Sequence, residues 1–283
     1  MPDMRRSPLQ AIILYGTLIA GSFLMLIPLA WMIVTSLKTF PEAMADPPVW
    51  WPEAPQWENY RIALGQFHFL GYLRNSAMVT CMNVAGTLVS CTMAAYAFAC
   101  LNFKRKNLLF GLLMSGMMLP GQVTIIPLFM FYAKIGWVNT FLPLMVPPWL
   151  GVNVFGIFLL RQFFLTIPRD YIEAARMDGA NEWTILWRVY VPLSTPVLMT
   201  VTVFSFLSSW NDLWGPLIFL HDERLYTMPI GLLNFIAMAG QAQGTPWQLV
   251  MAVSTIMVIP IVIIFFLAQR RFIEGIASHG VKG

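Results

Sequence analysis

Six apolar runs, each long enough to cross a bilayer at about 20 residues per span, divide the sequence at 11–36, 72–100, 108–132, 141–164, 193–220 and 247–268. The first is too long for the apolar core of a signal peptide, and no small-x-small cleavage site follows it, so it is expected to be retained. In the second, Gly86, Ser90 and Ala94 recur every four residues, as do Ala95 and Ala99. Small residues at that spacing let helix backbones approach closely in lipid. The third run is interrupted by Pro120, Gln122 and Pro127. The fourth carries Pro143, Pro147 and Pro148 near its start and Asn153 inside. Prolines there free backbone carbonyls, which is tolerated where the helix faces protein or a wet cavity. The pattern predicts an all-α integral membrane protein with six transmembrane helices, a single domain over residues 1–283.

The polar segments differ in kind. Segment 38–71 carries Pro41, Pro47, Pro48, Pro52 and Pro55 among Trp50, Trp51, Trp57 and Tyr60, the composition of an ordered interfacial loop. Segment 221–246 is a second loop on the same side, with Gly231, Gly240 and Gly244 and an apolar run from Ile230 to Met238. Its patch around Leu233, Phe235, Ile236 and Gly240 fits either a partner contact or a re-entrant lid. Segment 166–192 is the long polar stretch between two strongly apolar ones, and its punctuation predicts a hairpin of two short helices. Pro168 sits where the first helix starts. Asp170 and Glu173 suit the positive helix end. Gly179 suits a C′ position with φ > 0, and Asn181 a second N-cap, the second helix running to a break before Pro192. Such a hairpin is either a solvated loop or a docking surface for another protein.

Composition supports the membrane class. Of 283 residues, 58% are hydrophobic and 11% charged, against about 25% charged in soluble domains, and the mean hydropathy is +0.68. The net charge of +4 follows topology rather than nucleic-acid binding. With the N-terminus inside, Arg5, Arg6, Lys104, Arg105, Lys106, Arg161, Arg169, Arg176, Arg188, Arg270, Arg271 and Lys282 lie on the inner side. Only Lys38, Arg61, Arg74, Lys134 and Arg224 lie outside. This asymmetry places both termini and segment 166–192 in the cytoplasm. Cys81, Cys91 and Cys100 lack a C-x-x-C spacing and are expected to be small packing residues.

Little in the sequence points to catalysis. It holds no G-x-x-x-x-G-K-[ST] loop, so ATP binding and hydrolysis of the usual kind are not expected in this chain. His68, His221 and His279 are isolated, which argues against a metal site. No nucleophile-and-base constellation suggests a membrane enzyme. One polar cluster interrupts the fifth run: Ser208, Trp210, Asn211, Asp212 and Trp214. Rings for sugar faces and short polar groups for hydroxyls suit a substrate pathway. An interfacial tryptophan belt with a wet Asp212 fits equally.

Glu173-Ala174-Ala175, Asp178-Gly179-Ala180 and Val191-Pro192-Leu193 resemble the EAA loop of binding-protein-dependent ABC importers. Asn59-Tyr60 at the end of the first loop, Trp210-Asn211-Asp212 with Trp214-Gly215-Pro216-Leu217, and the ending Phe272-Ile273-Glu274-Gly275-Ile276 with Gly280-Val281-Lys282-Gly283 resemble carbohydrate permeases of that family. The resemblance runs over nearly the whole chain. It implies a permease subunit of maltose or glycerol-phosphate type in the bacterial inner membrane, importing a sugar or oligosaccharide. The expected partners are a second, paralogous permease, two ATPase subunits acting on ATP and Mg, and an exterior binding protein. Glu173, Ala174, Ala175, Asp178 and Gly179 would form the coupling helix that sits in a cleft of the ATPase. The loop with Leu233, Phe235, Ile236 and Gly240 would meet the binding protein. ATP-driven closure of the ATPases would rock the permeases between inward- and outward-facing states. Glycerol-phosphate import by the same machinery is an alternative, although no Lys or Arg lies clearly inside a span. A stand-alone channel or secondary carrier is another, although Asp212 is its one acidic candidate and inverted repeats are not evident.

Overall fold

A computed structural model describes residues 8–66, 68–240 and 244–279. Among them every regular element is helical. In chain order the α-helices are α1 (Pro8–Ser36), α2 (Phe40–Ala43), α3 (Glu58–Gln66), α4 (Phe69–Cys100), α5 (Lys106–Ser115), α6 (Gly121–Lys134), α7 (Leu142–Met145) and α8 (Val154–Phe164). They continue as α9 (Arg169–Met177), α10 (Glu182–Ile185), α11 (Val191–Leu193), α12 (Thr195–Trp210), α13 (Trp214–Phe219), α14 (Met228–Gly240) and α15 (Trp247–His279). Four described helical segments are long and apolar enough to cross a bilayer, and counting each of two bent pairs as one span gives six.

By contact the chain divides into two compact units, Met1–His68 with Leu232–Ile259, and Phe69–Gly231 with Pro260–Gly283. In the first, residues 38–66 hold two short helices, α2 and α3, joined by a loop that is pinned by hydrogen bonds. Thr39 and Glu42 form a reciprocal capping box at the start of α2. Glu42 also accepts the Glu53 N–H at 2.9 Å, and that bond and those from Thr39 hold its carboxyl below the ordinary range. Asn59 donates to the carbonyls of Ser36 and Lys38 at 2.9 and 2.8 Å, and Tyr60 meets the Ser36 hydroxyl at 2.7 Å. The Asn-Tyr pair thus ties the loop back to the end of α1. Lys38 is buried with its ammonium 3.9 Å above the Trp31 ring.

The second unit is built around α4, which packs on α8, α12 and the 3₁₀ turn Pro147–Leu150. The small residues of α4 explain the closeness. A Cβ on Gly86 would lie 2.5 Å from the Trp149 ring. The Ser90 hydroxyl donates to the Pro148 carbonyl at 2.7 Å, and Ala95 and Cys91 are fully buried. Cys81 departs from the expectation of a packing residue, since it is exposed. At the other end of α4, Tyr72 donates to Glu223 at 2.8 Å, and Asn75 to the carbonyls of Arg224 and Tyr226.

Several expected spans are interrupted. Pro120 caps α6 in an extended conformation, and the chain bends by 100° between 106–118 and 121–134. The run 193–220 is α12 and α13 with a non-helical break after Trp210. Pro192 does not end the second hairpin helix. A π-helical stretch, Leu186–Tyr190, closes with Val191 N–H on the Leu186 carbonyl, so the missing N–H of Pro192 falls just past that turn. The chain instead bends by 81° at Ser194. The segment 221–246 contains α14, and α15 runs on through the expected tail to His279. Arg5, Arg6 and the closing Gly280 to Gly283, with Lys282, lie outside the described residues.

Candidate functional site

The hairpin of α9 and α10 forms by local rules. Pro168 is the N-cap of α9, one position earlier than expected, with Asp170 in the first turn. At the other end Gly179 has φ +79°. Its N–H bonds to the Arg176 carbonyl and that of Ala180 to Ala175, both at 3.0 Å. This is the Schellman pattern, in which glycine takes the left-handed C′ position at no steric cost. Asn181 then accepts the Thr184 N–H at 2.8 Å and starts α10.

The two faces of the hairpin differ. Ile172, Ala175 and Ala180, with Ile185, Leu186 and Tyr190 beyond, join a buried cluster with Tyr96 of α4 and Leu160 and Phe164 of α8. Ala175 therefore faces the bundle, one turn from Ile172, rather than outward as expected for a partner cleft. Glu173, Ala174, Asp178 and Gly179 are exposed. So are three large side chains with apolar surface, Tyr171, Trp183 and Met177, the last 88% accessible. Nothing lies within 4 Å of a Cβ placed on Gly179.

Directional bonds join the hairpin to α4. One Glu182 carboxylate oxygen accepts from Arg176 at 2.9 Å, the other from the Tyr96 hydroxyl. The Arg176 and Glu182 side chains are about half exposed, 51% and 45%, so their ion pair contributes about 0.2–1 kcal/mol. The hydrogen bond from buried Tyr96 to a charged acceptor is the stronger tie, about 1.5–3 kcal/mol. Neighbouring cations cap the last turn of α4. Lys106 donates to the Ala99 and Leu101 carbonyls at 3.2 and 2.8 Å. Arg161 donates to Phe98 at 3.1 Å, with its guanidinium 4.1 Å over the Phe110 ring. The sequence marks these residues only as inner-side charge, yet they satisfy carbonyls left open at a helix end. Between this cap and α9 lies a recess of about 340 Å³ lined by Asn102, Lys106, Arg169, Glu173 and Arg176.

The cluster of the fifth run does not converge. Trp210 is 3% exposed and stacks on Phe206 at 5.5 Å, so it is a core residue rather than a pathway one. Asp212 accepts the Gly215 N–H at 3.1 Å and organises the turn into α13. Trp214 is exposed. Ser208 and Asn211 are exposed too, the latter donating to the Leu207 carbonyl. With Phe204 they line one face of α12 at helical spacing. Phe204 meets Phe155 of α8 edge to face at 5.8 Å, and both are exposed. In the first unit, Leu233 is exposed on α14, Phe235 and Ile236 are half-buried, and Gly240 closes the helix. Among the described residues no group of His, Cys, Asp and Glu could hold a metal ion.

Comparison with known proteins follows the same lines. Residues 86–278 match the family "Binding-protein-dependent transport system inner membrane component". The chain is 34% identical over 260 residues to the probable ABC transporter permease protein YurM of Bacillus subtilis, covering 90% of this chain and 83% of that protein. It is 32% identical over 283 residues to the trehalose/maltose transport system permease protein MalG of Thermococcus litoralis, covering 99% and 100%. In fold it is similar to a chain of a bacterial ABC transporter involved in the import of the acidic polysaccharide alginate, with a TM-score of 0.79 and 23% identity, covering 96% of this chain and all of that one.

Proposed function

The chain belongs to the family of binding-protein-dependent transport system inner membrane components, and from that premise we propose that it is one of two unlike permease subunits of a sugar-importing ABC transporter. The observation that carries the coupling role is the two-faced hairpin. Its inner face is fastened to α4 and α8, while its outer face presents Tyr171, Ala174, Met177, Asp178, Gly179 and Trp183. Exposed apolar side chains among charges, on a stiff element outside the spans, suit a protein partner. That partner is an ATPase subunit that handles ATP and Mg, with Glu173 and Asp178 offered to its basic residues. Both termini and the hairpin lie on the cytoplasmic side, as the distribution of Lys and Arg supports.

Sugar as cargo is supported by the name of the Thermococcus relative and by the open face of α12. Phe204 and Phe155 offer flat apolar surface there, and Ser208 and Asn211 offer hydrogen-bonding groups. A neutral sugar is favoured over a phosphate because Arg161, the cation within α8, is engaged by the Phe98 carbonyl and the Phe110 ring. Leu233 on α14 is offered to the exterior binding protein. The test is reconstitution in liposomes with the second permease, the ATPases and the binding protein carrying its own retained sugar. ATP-dependent uptake of that sugar is expected. Uptake driven by an ion gradient without the ATPases would refute the proposal.

A further inference from the structure

The apolar contacts that seat the hairpin are non-directional, so by themselves they resist separation better than sliding. Glu182 supplies direction. It is the first residue of α10 and accepts from Arg176, in the last turn of α9, and from Tyr96, in the last turns of α4, 86 residues away. The Tyr96 ring, 4% exposed, meets Tyr190 edge to face at 5.1 Å, and Tyr190 meets Phe164 at the end of α8 in the same way at 5.0 Å. Tyr190 closes the π-helical stretch that leads into the bend at Ser194. One carboxylate thus registers both helices of the hairpin against α4 and stands at the head of an aromatic chain reaching α8 and the root of α12.

We infer that Tyr96, Glu182 and Arg176 form a positioning linkage that makes the hairpin and α4 move as one body, so that displacement of the hairpin is delivered to the spans instead of being absorbed by slippage. This rests on the coupling role proposed above. Tyr96 is the dominant member, because its hydroxyl is buried and directional whereas the Arg176 pair is half in water.

The test uses spin labels at Met82→Cys on α4 and Arg169→Cys at the start of α9, both exposed and away from the side chains offered to the ATPase, with Cys81, Cys91 and Cys100 replaced. The complete transporter is studied without nucleotide and with ATP trapped by vanadate. In the unmodified linkage the distance distribution between labels is expected to be narrow and the same in both states. Tyr96→Phe keeps the ring and removes the hydroxyl. It is expected to broaden or shift the distribution on ATP binding, and to lower the stimulation of ATP hydrolysis by loaded binding protein by about tenfold to a hundredfold, the scale of one such hydrogen bond. Glu182→Gln keeps a neutral acceptor for Tyr96 and is expected to fall between the parent and Tyr96→Phe, whereas Glu182→Leu should match Tyr96→Phe, and the double variant should be no worse than either. A distribution that stays narrow and unmoved in Tyr96→Phe and Glu182→Leu, or one that already shifts in the parent, overturns the linkage. If the parent assembly shows no stimulated ATP hydrolysis at all, the coupling role itself fails. Should Tyr96→Phe not assemble, the contrast of Glu182→Gln with Glu182→Leu decides alone.

Discussion

Gly179→Asn separates two reasons for a glycine at the hairpin turn. Its φ of +79° is one reason, and space for a partner is the other. Asparagine is among the few residues that adopt the left-handed conformation readily, and no atom of the chain lies within 4 Å of the new Cβ. Within the chain the cost is therefore bounded by backbone strain, about 1 kcal/mol or less. If the turn sits in a cleft of the ATPase, the added side chain must be accommodated there, and overpacking of a fitted site costs about 1–3 kcal/mol. Carried into coupling, that is a loss of about 5- to 150-fold. The assay is sugar uptake per ATP hydrolysed in proteoliposomes, beside thermal unfolding of the purified permease pair. Unfolding is expected to change little while coupling falls. Gly179→Asp should act in the same way, with a charge added. Full coupling in Gly179→Asn would refute the steric argument, because it would leave backbone conformation as the only role of the glycine.

Two further outcomes follow from local geometry. Asp212→Asn is expected to leave stability and transport near the parent, because the amide oxygen also accepts the Gly215 N–H, whereas Asp212→Ala should cost about 1 kcal/mol in thermal unfolding. Loss of transport in Asp212→Asn alone would mean that its charge moves cargo or protons. Glu42 is held below the ordinary carboxylate range, first by the Glu53 N–H. Its contribution is therefore present above the unfolded value and lost as pH falls through the folded one. Proteolytic protection of segment 38–56 should weaken on acidification below the usual glutamate range, and Glu42→Gln should flatten that dependence. An unchanged acid dependence in the variant would contradict it.

What is legible in the chain is whatever local rules govern. Pro168, Gly179 and Asn181 each act through their own backbone, so the hairpin can be drawn from sequence. Ala175 belongs to the inner face and not the outer one that its motif suggests, and its place three residues after buried Ile172 carries the correct phase. Asp212 stands out as an ionisable group in a span, while Asp-x-x-Gly is also a turn signal. The apolar run 230–238 reads as loop surface beside its glycines, although its length already suits the helix α14. The bond between Tyr96 and Glu182, and the meeting of Phe155 with Phe204, join residues far apart in sequence. Such contacts are set by how α4, α8 and α12 pack, and no local pattern announces them.

The central claim is that the exposed side of the hairpin is where an ATPase delivers its force. Met177, 88% accessible and clear of the core cluster, is the place to ask. With Met177→Cys in the complete transporter, a short bifunctional thiol reagent should join this chain to a cysteine placed in the ATPase, with a yield that changes when ATP is bound. A membrane-impermeant maleimide should reach the introduced thiol only from the cytoplasmic side. Labelling from outside the cell, or no cross-link in any nucleotide state, would contradict the account.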